Sequence, residues 1–193
     1  MRGMGGIMAA VLAFLLATGI AQGRLVNRGV WPYVRQCASI REGRGPVRLY
    51  VFFDPNCPYC HSLYDALQPA IRQRGLVVRW VPVGILTLSS YGKAAALLRA
   101  THKAAAMARM EAGFRNGRGA IRPRRAPPPV ARRLSYNVQL FEDIGARGVP
   151  FLIYKTRKDH VHAVTGDPPR SDLARIEARI AGRPKATPQT ARP

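Results

Sequence analysis

The stretch Val47-Arg48-Leu49-Tyr50-Val51-Phe52-Phe53-Asp54-Pro55-Asn56-Cys57-Pro58-Tyr59-Cys60-His61 decides the fold. Val47 to Phe53 is short, β-branched and aromatic, and nearly all apolar, the pattern of a strand buried on both faces at the centre of a sheet. Asp54-Pro55-Asn56 supplies turn and cap chemistry. Cys57 to Arg74 then reads as a helix, with Leu63, Leu67, Ala70 and Ile71 on one face and Gly75 as its stop. A strand that runs straight into a helix is the core of an α/β fold, and here two cysteines stand at the exposed junction.

Outward from that junction, Leu76 to Val83 is a second strand, which a right-handed crossover would set parallel to the first. Gly84 to Ser90 connects to Gly92–Ala112, an Ala-rich stretch that propensity makes one helix. Between 113 and 131 Arg115, Arg118, Arg122, Arg124 and Arg125 alternate with Gly and Pro and end in Pro127-Pro128-Pro129, which reads as an exposed loop without a core. A helix resumes over Arg132 to Ala146, and Phe151–Tyr154 and Val161–Val164 form a hairpin. Ser171 caps a last helix to Ile180. Before the central strand, Trp31, Val34, Cys37 and Ile40 recur at helical spacing behind Pro32. The expected architecture is an α/β mixed sheet flanked by helices, with a helical insertion over about 85–146.

The chain has 193 residues, 31 Lys+Arg against 10 Asp+Glu, a net charge of +21 and three cysteines. Its hydrophobic content of 47% suits a globular domain and excludes a wholly disordered chain, and three cysteines cannot make a disulfide scaffold. Arg2, the apolar run Ile7–Leu16 and the small residues around Gly19-Ile20-Ala21 read as a secretory signal peptide over 1–21. That leaves 22–46 as linker and short helix, 47–181 as the α/β domain and 182–193 as a basic tail without structure. Export places the cysteines where pairs oxidise or cycle.

At the first turn of a helix, free backbone N–H groups and the positive end of the dipole favour a thiolate. Cys57 is therefore the expected nucleophile, with a lowered pKa. Cys60, one turn on, is placed as the resolving thiol, and Pro58 stiffens the turn between them. Tyr59 completes the motif. Asp54 and His61 flank the pair and are expected to tune it, the carboxylate disfavouring the thiolate and a protonated imidazole favouring it. Cys57-x-x-Cys60-His61 is also formally the c-type haem attachment pattern, with Met107 or Met110 as a distal ligand, although such a protein has no reason to set it at the end of a buried strand. Zinc would need more ligands than the pair, and His102, His160 and His162 are scattered. No metal and no cofactor beyond a Cys57–Cys60 redox-active disulfide is expected. Cys37 reads as a buried apolar residue or as a third, cross-linking thiol. Gly148-Val149-Pro150 opens a strand with a proline, which must lie at an edge or adopt a special, often cis, geometry.

With these residues together, the chain resembles the thioredoxin-fold catalytic domain of the DsbC/DsbG group of thiol:disulfide interchange proteins. Val51 to His61, Val78-Arg79-Trp80-Val81-Pro82-Val83-Gly84 and Leu140 to Pro150 carry the resemblance. It implies that Cys57 attacks, Cys60 resolves, and Pro150 is a cis-proline facing them, while the backbone at Val149 pairs with an extended substrate by strand addition. It also implies protein thiol or disulfide substrates in the periplasm and a membrane or soluble redox partner that resets the dithiol. The group usually has Thr before the cis-proline where this chain has Val149, as in the DsbA oxidases, so the direction (reductase, oxidase or isomerase) stays open. The group carries an N-terminal dimerisation domain, whereas about ten residues separate the signal cut from Trp31, so a monomer is expected. A different reading makes the chain a basic protein that binds polyanions or membrane surfaces through the arginine loop and tail, on the same scaffold. Within the redox reading the same charge implies a weak polyanion contact.

Overall fold

A computed structural model of the chain describes residues 24–182. The signal-peptide reading of 1–21 and the tail reading beyond Gly182 lie outside them. The centre is β3 (Leu49–Phe53), buried at all five positions as its composition demands. It leads into α2 (Pro58–Gln73), which carries the crossover to the parallel strand β4 (Val78–Pro82). The hairpin β5 (Phe151–Lys155) and β6 (Val161–Thr165) adds antiparallel to the other side of β3. Two short strands close the edges: β1 (Arg24–Leu25) on β6 and β2 (Ile40–Glu42) on β4, both antiparallel. The order is β1-β6-β5-β3-β4-β2.

Alternation along β3 builds a core on each face. Leu49, Val51 and Phe53 join Trp80, Leu152 and Tyr154 beneath α2, α4 (Lys103–Ala112) and α6 (Arg170–Ala181). Tyr50 and Phe52 face the other way, against Trp31 of α1 (Val30–Val34) and Leu140 and Phe141 of α5 (Pro128–Asp143). A third cluster joins Ala94, Ala95 and Leu98 of α3 (Ser90–Arg99) to Leu134. No helix among the described residues is long and apolar enough to cross a membrane.

Four expectations are corrected. The helix behind Pro32 ends at Val34, and Ile40 belongs to β2, paired with Trp80. The cause is long-range: buried Asn137 accepts from the Ala38 N–H at 3.0 Å and donates to the Ala38 and Pro82 carbonyls at 2.9 Å, holding the chain extended. The Gly92–Ala112 helix is two helices, α3 and α4, broken at extended Ala100. At about 3.6 residues per turn one straight helix would aim Leu97 and Met110 to roughly opposite sides. The break lets both enter one core. The stretch 113–131 exposes its arginines as expected, but its last residues start α5, with Pro127 as N-cap and Pro128 and Pro129 where no backbone N–H is needed. The last helix begins at Arg170 behind Pro169, so Ser171 lies inside it and does not cap it.

Candidate active site

The chain has four residues, Asp54 to Cys57, in which to turn from the buried end of β3 into α2. The Cys57 N–H bonds back to the Asp54 carbonyl at 3.1 Å, and Cys57 is extended, the N-cap of α2. Its sulfur accepts the Cys60 N–H at 3.3 Å, taking the place a Ser or Asp oxygen holds at other helix starts. Pro58 follows at the first helical position. The Cys60 thiol donates to the Cys57 sulfur, and with the Tyr59 and Cys60 N–H groups this pulls the Cys57 pKa below its ordinary value, outweighing burial and the Asp54 charge. Cys60 moves the other way: burial first, then the neighbouring Cys57, push its thiol far up. The pair is asymmetric: the Cys57 thiol gives up its proton more readily than an ordinary cysteine, and the Cys60 thiol holds its proton more firmly.

Val149 and Pro150 meet this turn from β5. The Val149–Pro150 bond is cis, and the Cys57 thiol lies 3.6 Å from the Val149 carbonyl oxygen, to which it donates. The junction is not exposed as expected. Cys57 and Cys60 are each 2% exposed, because the cis-proline segment closes on Cys57 and the 114–119 loop lies on the turn. Tyr59 is 67% exposed, and Pro58 is also at the surface.

Asp54 does more than tune the thiol. One of its oxygens accepts the Asn56 N–H and the Ser90 hydroxyl at 2.8 and 2.7 Å, and the other accepts the Ile85 and Leu86 N–H groups at 2.6 and 2.9 Å. Its charge still acts on Cys57 in the expected direction, upward. His61, expected to help the thiolate, is held elsewhere: its Nδ1 sits 2.8 Å from buried Glu111 and its ring stacks on Phe114 at 4.4 Å. Burial pushes the Glu111 carboxyl up to about 7 against the pull of His61. The histidine of the haem-attachment pattern is thus bound within the protein. Among the described residues no three His, Cys, Asp or Glu side chains converge as a metal site. Burial also pushes the Cys37 thiol up to about 12, which suits a packed apolar residue.

Lys93 and Glu111 escape the sequence reading, and Asn56, read there only as turn chemistry, does more. Asn56 donates among the hydroxyls of Thr87, Ser89 and Ser90, and its carbonyl accepts from buried Lys93 at 2.6 Å. Lys93 also donates to the Gly119 carbonyl at 2.7 Å. Lys93 and Glu111 are legible as charges at core spacing: Lys93 precedes Leu97 by four residues, and Glu111 follows Met107 by four, with Met110 beside it.

No family model matches the chain. It is 30% identical over 150 residues to the thiol:disulfide interchange protein DsbG of Pseudomonas aeruginosa, covering 76% of this chain and 58% of that one. It is 28% identical to DsbG of Escherichia coli over the same length, covering 60% of that protein. The chain therefore spans about three fifths of the relatives it matches. Among solved structures it is similar to a periplasmic thioredoxin-like protein from Salmonella enterica serovar Typhimurium (TM-score 0.64, 18% identity, 83% of this chain and 98% of that one). It is also similar to ScsC of Proteus mirabilis in a compact conformation (TM-score 0.65, 17% identity, 86% and 85%). The fold is thioredoxin-like, and over the matched residues the chain is similar to the two DsbG proteins.

Two outcomes follow. Since the Cys60 thiol is the largest cause of the lowered Cys57 pKa, Cys60→Ala raises that pKa, read as thiolate absorbance near 240 nm against pH. An unchanged titration would place the cause in the helix N-terminus alone. Glu111 is protonated more readily folded than unfolded, so its contribution to stability is full below about pH 4.5 and is lost as pH rises through about 7. Glu111→Gln, which mimics the protonated form, should gain on the parent over that window by up to about 3 kcal/mol in urea unfolding. Parallel stability curves would contradict this.

Proposed function

We propose that the chain is an exported thiol-disulfide oxidoreductase that exchanges disulfides with protein substrates in the periplasm through Cys57 and Cys60. The observation that carries this is the asymmetry of the pair, with the Cys57 pKa lowered at the helix start and the Cys60 pKa raised behind it. The Cys57 thiolate attacks one sulfur of a substrate disulfide. A mixed disulfide forms, and the other substrate sulfur leaves as a thiolate that takes a proton. Cys60 then gives up its proton and attacks the Cys57 sulfur, breaking the mixed disulfide and closing a Cys57–Cys60 disulfide. Two electrons pass from the dithiol to the substrate. A redox partner returns them, and the same steps run backwards form a disulfide in a dithiol substrate.

The remaining parts of the reading have their own support. The half-buried Val149 backbone, beside the Cys57 sulfur, suits pairing with an extended substrate segment. The DsbG relatives bear the name of this activity, and the Salmonella neighbour is a periplasmic protein. Export rests on Arg2, the Ile7–Leu16 run and the small residues before Gln22.

The test uses a disulfide-linked peptide as substrate. Cys57→Ser lowers turnover at least about a hundredfold, since a hydroxyl is no nucleophile for sulfur at neutral pH. Cys60→Ala accumulates peptide bound to Cys57, visible by mass spectrometry. A Cys57→Ser variant as active as the parent would overturn the proposal.

A further inference from the structure

The arginines of the 113–131 stretch take no part in the exchange chemistry, yet the segment that carries the first two is fixed to it at both ends. Phe114 stacks on His61, and the Gly119 N–H donates to the Pro55 carbonyl at 2.9 Å, while Gly117 lies near the Pro58 ring, where an added Cβ would only just touch it. The two contacts fall on residues that flank Cys57 and Cys60. At Gly119 the approach leaves no room for a side chain, since a Cβ would come within 2.4 Å of the Pro55 carbonyl oxygen. Lys93 holds the Gly119 carbonyl from inside and Asn56 with the same ammonium. Between these anchors, Arg115 and Arg118 exchange backbone hydrogen bonds at 3.0 and 2.9 Å across Asn116-Gly117, both at positive φ. Asn-Gly is the sequence that such a tight two-residue turn requires.

The turn therefore carries two exposed arginines at fixed positions over the first turn of α2. Arg115 donates to the Phe114 carbonyl at 2.7 Å, and neither Arg115 nor Arg118 pairs with a carboxylate among the described residues. The nearby acids are engaged: Asp54 and Glu111 are buried in hydrogen bonds, and Asp65 faces His61. Two unneutralised cations stand beside a nucleophile whose substrates, in the reading above, arrive as extended protein chains.

We propose that Arg115 and Arg118 form a cationic rim on the cysteine site that selects substrates with acidic side chains close to the reacting disulfide. The rim rests on the oxidoreductase reading and names its substrate class: a cysteine-bearing protein segment with Asp or Glu within a few residues. Charges fixed at the mouth of a site raise encounter rates with oppositely charged partners and lower them with like-charged ones, an effect that salt removes. A nucleic acid would ask for a basic track along the surface. Other exposed arginines follow at 122, 124 and 125, but Arg115 and Arg118 are the ones carried by the turn that is fixed against the start of the cysteine helix, where a substrate reacting at Cys57 must pass, which favours the acidic substrate.

The experiment measures second-order reduction rates for three disulfide-linked peptides of one design, with Asp, Ser or Lys flanking the cysteine, using the reduced full chain. At low salt the Asp peptide reacts about fivefold to twentyfold faster than the Lys peptide, with Ser between, and about 0.5 M salt levels the three. Arg115→Gln/Arg118→Gln brings the ratio to about one, and Arg115→Glu/Arg118→Glu inverts it. Arg132→Gln/Arg133→Gln, exposed on α5, leaves it as it was. Equal rates for all three peptides in the parent, or a preference that survives in Arg115→Gln/Arg118→Gln, overturns the rim and leaves the oxidoreductase reading standing. Salt-sensitive binding of a DNA duplex that depends on the two arginines, with equal peptide rates, would give the rim to nucleic acid instead. A parent that reduces none of the peptides, the Ser peptide included, overturns both readings.

Discussion

The structure turns on one constraint: a strand buried on both faces must become a helix within four residues, and it does so inside the protein. Apolar side chains alone cannot make that turn, because its backbone groups need partners that water cannot supply there. Asp54 and Asn56 are therefore polar and buried. Their partners come from the 85–90 connection, whose two N–H groups and three hydroxyls converge on them. Lys93 satisfies the Asn56 carbonyl and, with a second proton, reaches the Gly119 carbonyl. Position by position, the need to satisfy this turn ties the helical insertion and the arginine loop to the two cysteines.

The same constraint sets the chemistry. With Cys57 as the cap of α2, its sulfur receives donors from the first turn, and Cys60 points its thiol at it from the core. The carboxylate that stabilises the turn opposes the thiolate, yet the donors prevail and the Cys57 pKa falls. The +21 net charge acquires a place by the same route. Most of the described arginines are exposed, and at Arg115 and Arg118 the backbone that carries them is fixed to the residues around the cysteines.

Much of this is legible in the chain of letters. The composition of Leu49–Phe53 is enough for a central strand, and the Cys57-Pro58-Tyr59-Cys60 turn after it is enough to place both sulfurs at a helix start. The proline opening β5 signals its special geometry. What stays hidden depends on contacts far apart in sequence. Ile40 ends a run of apolar residues at three-residue steps (Trp31, Val34, Cys37), and the grip of Asn137 on Ala38, 99 residues away, holds the chain extended there. In the Ala-rich stretch only Thr101 and His102 lower the propensity near Ala100, too small a dip to mark the break by itself. The arginine loop reads as formless because its arginines are exposed and it holds few apolar residues, and the groups that fix it include Pro55, His61 and Lys93. Asn116-Gly117 was the local signal for its turn, masked by the charge around it.

The account stands on Cys57 and Cys60 being a reversible redox pair in which the lowered Cys57 pKa stabilises the reduced form. The direct measurement is the reduction potential of the chain, equilibrated in glutathione or dithiothreitol buffers, with the thiols counted by alkylation and mass spectrometry. The account predicts one two-electron transition confined to Cys57 and Cys60, with Cys37 a thiol throughout, at a potential above about −270 mV, on the oxidising side of thioredoxin. A potential below about −300 mV, where structural disulfides lie, or a transition that draws in Cys37, would contradict it.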